Sequence, residues 1–152
     1  MAPTPGRSDA AAMQLPLTAA ALLLPALACA QAPAAPDPLA LQGAWRIEQA
    51  RTEPLLDKRH ARLEFHADGR LSGHTSCNTL QARYQIDAAH RLTLGPLATS
   101  RQRCAPLQME QEDRVLTALE LVATARVRPD GLLELRDADG RGVLRATRLV
   151  PD

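Results

Sequence analysis

The fold prediction starts from two short stretches, LSGHTSCN at residues 71–78 and SRQRC at residues 100–104. Each stretch carries one cysteine, Cys77 or Cys104, beside residues that favour turns. A strand pattern lies between the two stretches, and a helix pattern follows the second. The chain also begins with the features of an export signal, and the thiols of exported proteins usually meet an oxidising compartment. We therefore predict a Cys77–Cys104 disulfide.

The first 30 residues have the features of a signal peptide. Arg7 precedes an apolar run at residues 15–27, which is too short for a membrane span of about 20 residues. The small residues around position 30 predict cleavage between Ala30 and Gln31. The protein would then be periplasmic or secreted. The alternative is an outer-membrane lipoprotein attached through Cys29, although the residues before Cys29 fit a lipobox poorly.

Residues 31–38 are rich in Pro and Ala and predict a flexible tether, and residues 39–152 have the size of one small domain. The net charge is +1 and no block of like charge stands out. This argues against nucleic acid as a partner, and against membrane binding unless Cys29 is lipidated. Trp45, Phe65 and Tyr84 are the only aromatic residues. The core must therefore rely on aliphatic side chains, and a disulfide would supply a sizeable share of the stability.

Alternating apolar and polar residues predict short strands along most of the domain, with Asp-Gly pairs at 68–69, 130–131 and 139–140 as hairpin turns. Two of these strands are expected to place Tyr84, Ile86, Leu92 and Leu94 on one face. Residues 52–60 predict a connecting loop.

A helical pattern begins at Pro106, and its apolar residues predict a core-facing stripe that comprises Met109, Val115, Leu116 and Leu119. The predicted fold class is α+β, a curled antiparallel β-sheet of about seven short strands packed against one helix.

The order of these features resembles the META domain family, which includes the bacterial heat-shock protein HslJ. The resemblance covers about residues 41–148, and its most specific positions are Gly43, Trp45, Ser72, Gly73, Cys77, Asn78, Tyr84, Arg101, Cys104, Met109 and Glu112. Ser76, Ser100 and Gln102 stand where the family usually has glycine, threonine and methionine, which affects a local turn or surface detail rather than the fold. The resemblance implies an envelope or secreted protein linked to heat shock, antibiotic tolerance or virulence, without established catalytic residues.

Cysteine and histidine residues supply the only candidates for chemistry. A redox role for Cys77 and Cys104 is disfavoured by their separation in sequence. A nucleophilic Cys77 activated by His74 would need a free thiol. His66 and His74 are expected to face each other across a hairpin, but two imidazoles without a third ligand make a poor zinc site. We predict no catalytic residue, no metal and no cofactor.

The remaining polar motif residues predict structural roles. Asn78 and Ser72 are expected to satisfy backbone groups in a tight turn. Arg101 and Arg103 are expected to pair with Glu110 and Glu112, with contact to a small anion or a partner as the alternative.

The functional prediction is an exported, non-enzymatic cell-envelope protein that acts in stress or antibiotic tolerance by binding. Its partner would be an unidentified envelope protein or a small apolar ligand. The alternative is a lipoprotein or a lipid-handling, chaperone-like module with an apolar groove lined by Leu116 and Leu119. An inhibitor or assembly partner of another envelope protein, recognised by an exposed apolar patch, is a third hypothesis.

Overall fold

The computed structural model describes residues 1–2 and 38–150. The predicted signal peptide, the Ala30–Gln31 cleavage site, Cys29 and nearly all of the predicted tether lie outside the described residues. In the described part of the chain, no helix has the length and apolar character needed to cross a bilayer.

Residues 38–150 form ten strands and one α-helix after a short 3-10 turn at Pro38–Leu41. The elements in chain order are β1 (Gly43–Ala50), β2 (Glu53–Pro54), β3 (Arg62–Phe65), β4 (Arg70–His74), β5 (Thr79–Ile86), β6 (Leu92–Leu94), β7 (Ala98–Thr99), α1 (Pro106–Leu121), β8 (Thr124–Val127), β9 (Leu132–Arg136) and β10 (Gly142–Arg148).

The strands form one strongly curved antiparallel sheet in the order β6-β5-β4-β3-β1-β10-β9-β8, with β2 on β1 and β7 on β5. Its two edges meet at a seam, where Arg91 forms an antiparallel bridge with Thr124. Beside this bridge, Leu92 N donates to Ala123 O at 2.9 Å and Ala125 N donates to His90 O at 3.0 Å. The sheet is therefore a nearly closed barrel.

The core is mainly aliphatic, as the composition predicts. Val115, Ala118 and Leu119 of α1 are at most 1% exposed and pack among buried strand residues. The aromatic residues add directional contacts: the Phe65 and Tyr84 rings meet edge to face, with centroids 5.1 Å apart. Tyr84 pairs with Leu94 and Ile86 with Leu92, which confirms their predicted shared face.

The predicted antiparallel α+β class is confirmed in outline, but the predicted strand number was wrong. The structure has ten strands rather than about seven in the described residues, and β2 lies inside the predicted loop at 52–60. β2 and β7 have two residues each. A pair of residues is too short to show an alternating pattern, so pairing with a neighbouring strand alone defines these strands.

The predicted apolar stripe of α1 was only partly right. Val115 and Leu119 are buried, but Leu116 is half-buried and Met109 is 40% exposed. Gln111 and Glu112 are buried instead, at 0% and 8% exposure. The first half of α1 packs on polar turns rather than on the aliphatic core, so its buried face is polar.

Candidate functional site

The two cysteines meet beside the amino-terminal end of α1. Their sulfur atoms are bonded at 2.06 Å, and the residues are 27 positions apart. The predicted disulfide is therefore present, and Cys77 carries no free thiol in this structure. Met109 Sδ lies 3.7 Å from Cys77 Sγ. Met109 thus contacts the disulfide from the first turns of the helix instead of entering the core.

Asn78 is the centre of a buried hydrogen-bond network beneath the disulfide, and its exposure is 2%. Its side-chain Nδ2 donates to Glu112 Oε1 and Oε2 at 3.1 and 2.9 Å and to Gln102 O at 3.2 Å. Its Oδ1 accepts from Ser100 Oγ and from Gln102 N, both at 2.8 Å. One amide therefore joins the end of the β4–β5 turn, the segment before α1, and α1 itself.

Thr75 completes this network from the other end of the turn. Its hydroxyl donates to Glu112 Oε2 at 2.8 Å, and its backbone N donates to Asn78 O at 2.8 Å. The Asn78 backbone N donates back to Thr75 Oγ1 at 3.1 Å. The turn thus carries the two donors, Thr75 and Asn78, that satisfy the buried Glu112 carboxylate.

The Asn78 side chain does satisfy backbone groups, but they belong to Gln102 before α1 rather than to the turn. The same prediction for Ser72 was wrong, because Ser72 lies within β4 and its hydroxyl meets the His66 ring.

The predicted salt bridges to Glu110 and Glu112 were wrong. Among the ion pairs of residues 38–150, none involves Arg101 or Arg103, and both arginines are exposed. Glu112 faces inward and is held by the neutral groups of Thr75 and Asn78. The side chains of Arg101 and Arg103, in the segment before α1, are exposed to solvent, whereas Glu112 lies on the buried side of the helix.

Gln111 and Ser76 hold the loop after β2 against the same helix. Gln111 Oε1 accepts from Asp57 N at 2.9 Å, and its Nε2 donates to Asp57 O at 3.2 Å. Ser76 Oγ also donates to Asp57 O, at 2.7 Å. The apolar pattern of α1 does not include Gln111, although its spacing of four and seven residues from Val115 and Ala118 places it on their face of the helix.

The three departures from the usual META pattern now have physical explanations. Ser76 has a φ of 81°, a left-handed conformation that favours glycine, and its hydrogen bond to Asp57 offsets part of that strain. Ser100 keeps the hydroxyl that a threonine would supply to Asn78. Gln102 contributes its backbone N and O while the residue is exposed, so its side chain is free to vary.

The histidine pair differs from the prediction. Strand register places His74 opposite Arg62, and the His74 ring lies 5.9 Å from the His60 ring, centroid to centroid. His66 instead has its Nε2 2.8 Å from Ser72 Oγ. The expectation that His66 faces His74 was wrong, because the hairpin register aligns Phe65 with Leu71 and leaves His66 beyond the paired residues.

The surroundings of His74 disfavour its charged form. Burial lowers the pKa of the His74 ring, and His60 and Arg62 act in the same direction, while Glu112 opposes them. These effects favour the neutral ring, and its Nδ1 accepts a hydrogen bond from Ser76 N at 3.1 Å. Over the described ranges, no three His, Cys, Asp or Glu side chains form a group that could hold a metal ion.

The other motif residues stabilise the barrel away from this network. Trp45 is fully buried, donates from Nε1 to Leu41 O at 2.8 Å, and has the Arg148 guanidinium 4.2 Å from its ring centroid. A side chain at Gly73 would place its Cβ 2.4 Å from Arg62 O, so the close approach of β3 and β4 requires glycine there. Gly43, with a φ of 112°, begins β1 in a conformation that favours glycine.

A cleft of about 610 Å³ opens at the barrel seam, which we call the seam cleft. Its apolar lining comes from the β6 region and from the carboxyl-terminal end of α1 and the residues after it: Leu92, Leu94, Pro96, Leu97, Leu119 and Val122. Arg91, Thr93 and Glu120 add polar groups. Leu119 borders this opening but is 1% exposed, and Leu116 is not among the lining residues, so the predicted groove lined by both is found only in part.

Comparison with known structures supports this fold. An NMR structure of a protein from Burkholderia xenovorans is similar, with a TM-score of 0.57 and 23% identity over 79% of this chain and 95% of that chain. A crystal structure of a DUF4847 family protein from Bacteroides vulgatus has a TM-score of 0.55 and 12% identity over 75% of this chain and 97% of that chain. At these identities the likeness concerns the fold alone.

The family itself follows from the sequence match. No curated protein matches the chain. The META domain model, however, matches residues 37–148, which include every element from the first 3-10 turn to β10. The chain belongs to the META domain family.

Proposed function

We propose that this protein is an exported, non-enzymatic META-type protein of the cell envelope that contributes to stress or antibiotic tolerance by binding a small apolar ligand in the seam cleft. The observation that carries the proposal is the cleft itself. Its volume of about 610 Å³ lies within the usual range for small-molecule sites, and its wall combines aliphatic side chains with the polar groups of Arg91, Thr93 and Glu120.

The motif cluster supports a structural role rather than a catalytic one. Cys77 is bonded to Cys104, so it offers no thiolate for nucleophilic attack. Asn78 and Glu112 are hydrogen-bonded to each other, and the nitrogen that His74 would need as a base accepts from Ser76. These contacts fix the start of α1 to the barrel.

Fixing α1 at its start also positions its far end. Leu119 lies two helical turns after Glu112 and faces the cleft, and Val122 follows the helix directly. The wall of the seam cleft therefore depends on the disulfide and the Asn78–Glu112 contact at the other end of the helix. A disulfide in this role also suits an oxidising compartment outside the cytoplasm.

Ligand binding is tested with a neutral apolar fluorophore, N-phenyl-1-naphthylamine. Leu97→Gln and Val122→Thr each introduce a polar group into the cleft wall, so both variants should bind the probe several-fold more weakly. Leu56→Gln is the matched control, because Leu56 is 73% exposed and is not a cleft residue. Equal probe affinity for the parent and both cleft variants would contradict the proposed site.

Export is tested by the intact mass of the protein recovered from the periplasm, with and without reductant and an alkylating reagent. A chain that begins at Gln31 and is alkylated only after reduction supports the proposal. A diacylglycerol group on Cys29 would establish the lipoprotein alternative. A chain that keeps residues 1–30 and stays in the cytoplasm would refute export.

A further inference from the structure

A second cleft, of about 540 Å³, lies on the outer face of β4 and β5, and we call it the arginine cleft. In the antiparallel register, Arg70 is opposite Arg83 and Ser72 is opposite Gln81. Leu71, between Arg70 and Ser72, is 1% exposed, so the alternation of the strand directs Arg70 and Ser72 to the outer face. The four polar side chains therefore share one surface.

The other lining residues give this cleft one polar side and one apolar side. Pro96 of the β6–β7 connection and Ala98 of β7 line it on one side, and His66 lines it near Ser72. Among the described residues, no Asp or Glu belongs to the lining. Two acidic groups lie at the edge of the cleft: Asp68 Oδ2 pairs with Arg70 Nε at 2.6 Å, and Glu64, opposite Ser72 on β3, has a carboxylate oxygen 3.8 Å from His66 Nδ1.

Asp68 orients both arginines. Its Oδ2 accepts from Arg70 Nε at 2.6 Å, and its backbone O accepts from Arg83 Nη1 at 3.1 Å. Within residues 38–150, the remaining guanidinium nitrogens of Arg70 and Arg83 make no hydrogen bond or ion pair. Two guanidinium groups with free donors are thus held on adjacent strands by one residue.

Two arginines directly opposite each other on paired strands repel. The Asp68 carboxylate balances one of the two positive charges through Arg70, so the other charge is left for a bound anion to balance. A guanidinium group recognises phosphate through paired N–H donors, and a phosphate monoester carries close to two negative charges at pH 7. Ser72 and Gln81 add further polar groups to the same face. An organic phosphate would match the two arginines, and its carbon chain would match Pro96 and Ala98.

We propose that the arginine cleft binds an organic phosphate, with the phosphate between Arg70 and Arg83 and the attached carbon chain against Pro96 and Ala98. The two clefts share Pro96, but neither Arg70 nor Arg83 lines the seam cleft, so either proposal can fail without the other.

Calorimetric titration of the full chain tests this site with three probes: hexyl phosphate, inorganic phosphate and hexanol. Hexyl phosphate should bind more tightly than inorganic phosphate, and hexanol should not bind at this site. Arg70→Gln and Arg83→Gln should each weaken hexyl phosphate binding at least about tenfold, equivalent to about 1.4 kcal/mol. Arg126→Gln is the matched control, because Arg126 is exposed, lies on β8 and is not among the lining residues.

Unchanged affinity in both arginine variants, with melting temperatures equal to the parent, would overturn the proposal. So would amide shifts in an NMR titration that map to the seam cleft instead of β4 and β5. Sedimentation with phosphatidylglycerol vesicles, compared with phosphatidylcholine vesicles, identifies the source of the phosphate. Arginine-dependent binding to the anionic vesicles supports a lipid headgroup, and binding of hexyl phosphate alone supports a free organic phosphate.

Discussion

Replacing Asn78 with aspartate tests the network beneath the disulfide most directly. The substitution keeps the shape of the side chain but replaces its Nδ2 donor with an oxygen. In the parent, Nδ2 lies 2.9 Å from Glu112 Oε2, and Asn78 is 2% exposed. Asn78→Asp would therefore place two buried carboxyl groups in hydrogen-bond contact, and they cannot both be ionised at that distance.

The cost follows from the proton that one carboxyl group must bind. Protonating a carboxyl group with a reference pKa of about 4 at pH 7 requires about 4 kcal/mol, at 1.36 kcal/mol per pH unit. The proton shared between the two carboxyl groups replaces the lost hydrogen bond to Glu112, so the protonation energy is the main net change. We therefore expect Asn78→Asp to lower the free energy of unfolding by about 4 kcal/mol at pH 7. Near pH 4 the carboxyl groups bind protons in the unfolded chain as well, and most of the difference from the parent should disappear.

Urea unfolding of the parent and the variant at pH 7 and pH 4 measures this difference. Gln102→Glu is the matched control, because it adds the same charge beside the network on an exposed residue and should change stability by less than about 0.5 kcal/mol. The reasoning would be refuted if Asn78→Asp lost less than about 1 kcal/mol at pH 7, or if its loss were the same at both pH values.

Three further predictions concern stability. Replacing both Cys77 and Cys104 with serine should lower the free energy of unfolding by about 3.6 kcal/mol and the Tm by about 14 °C under oxidising conditions. The reason is that the disulfide closes a loop between residues 27 positions apart. Equal Tm values for the parent and the variant would show that the disulfide contributes nothing to stability. Ser76→Ala should lower the free energy of unfolding by about 1 kcal/mol, because it keeps the φ of 81° but loses the hydrogen bond to Asp57. Ser76→Gly should stay within about 0.5 kcal/mol of the parent, because glycine adopts this φ without strain. Chemical denaturation in which the alanine variant is more stable than the glycine variant would contradict this. Burial alone would raise the pKa of Glu48, but three side-chain donors lower it from 4.5 to about 2. The stabilisation from the ionised Glu48 is complete above pH 4.5 and is lost as the pH falls towards 2. Glu48→Gln should therefore lower the free energy of unfolding by about 1–3 kcal/mol at pH 7 and reduce its dependence on pH between 4.5 and 2. An unchanged pH dependence in the variant would contradict this role of Glu48.

Local patterns predicted the longer elements well, because their signals come from consecutive residues. Alternation predicted the facing pairs of β5 and β6, and Pro106 marked the start of α1. The same patterns failed where a long-range partner defines the structure. β2 is a strand only because it pairs with β1, and Met109 is exposed because α1 begins over the disulfide rather than over the core.

The candidate sites were less predictable than the fold. Cys77, Cys104, Asn78 and Glu112 could be named from their motif, but their mutual contacts depend on how the chain before α1 crosses the end of β4. Neither cleft has a sequence signature. Each forms where segments distant in the chain approach each other, so only the folded arrangement reveals it.

The sequence alone determined the fold class, the family resemblance and the pairing of two cysteines, because hydrophobic alternation, helix periodicity and motif spacing are local properties. The tertiary structure decided the near-closure of the barrel, the inward position of Glu112 and the juxtaposition of Arg70 with Arg83. These features depend on strand register and on contacts between remote segments, and a one-residue change in register would turn each strand side chain to the opposite face.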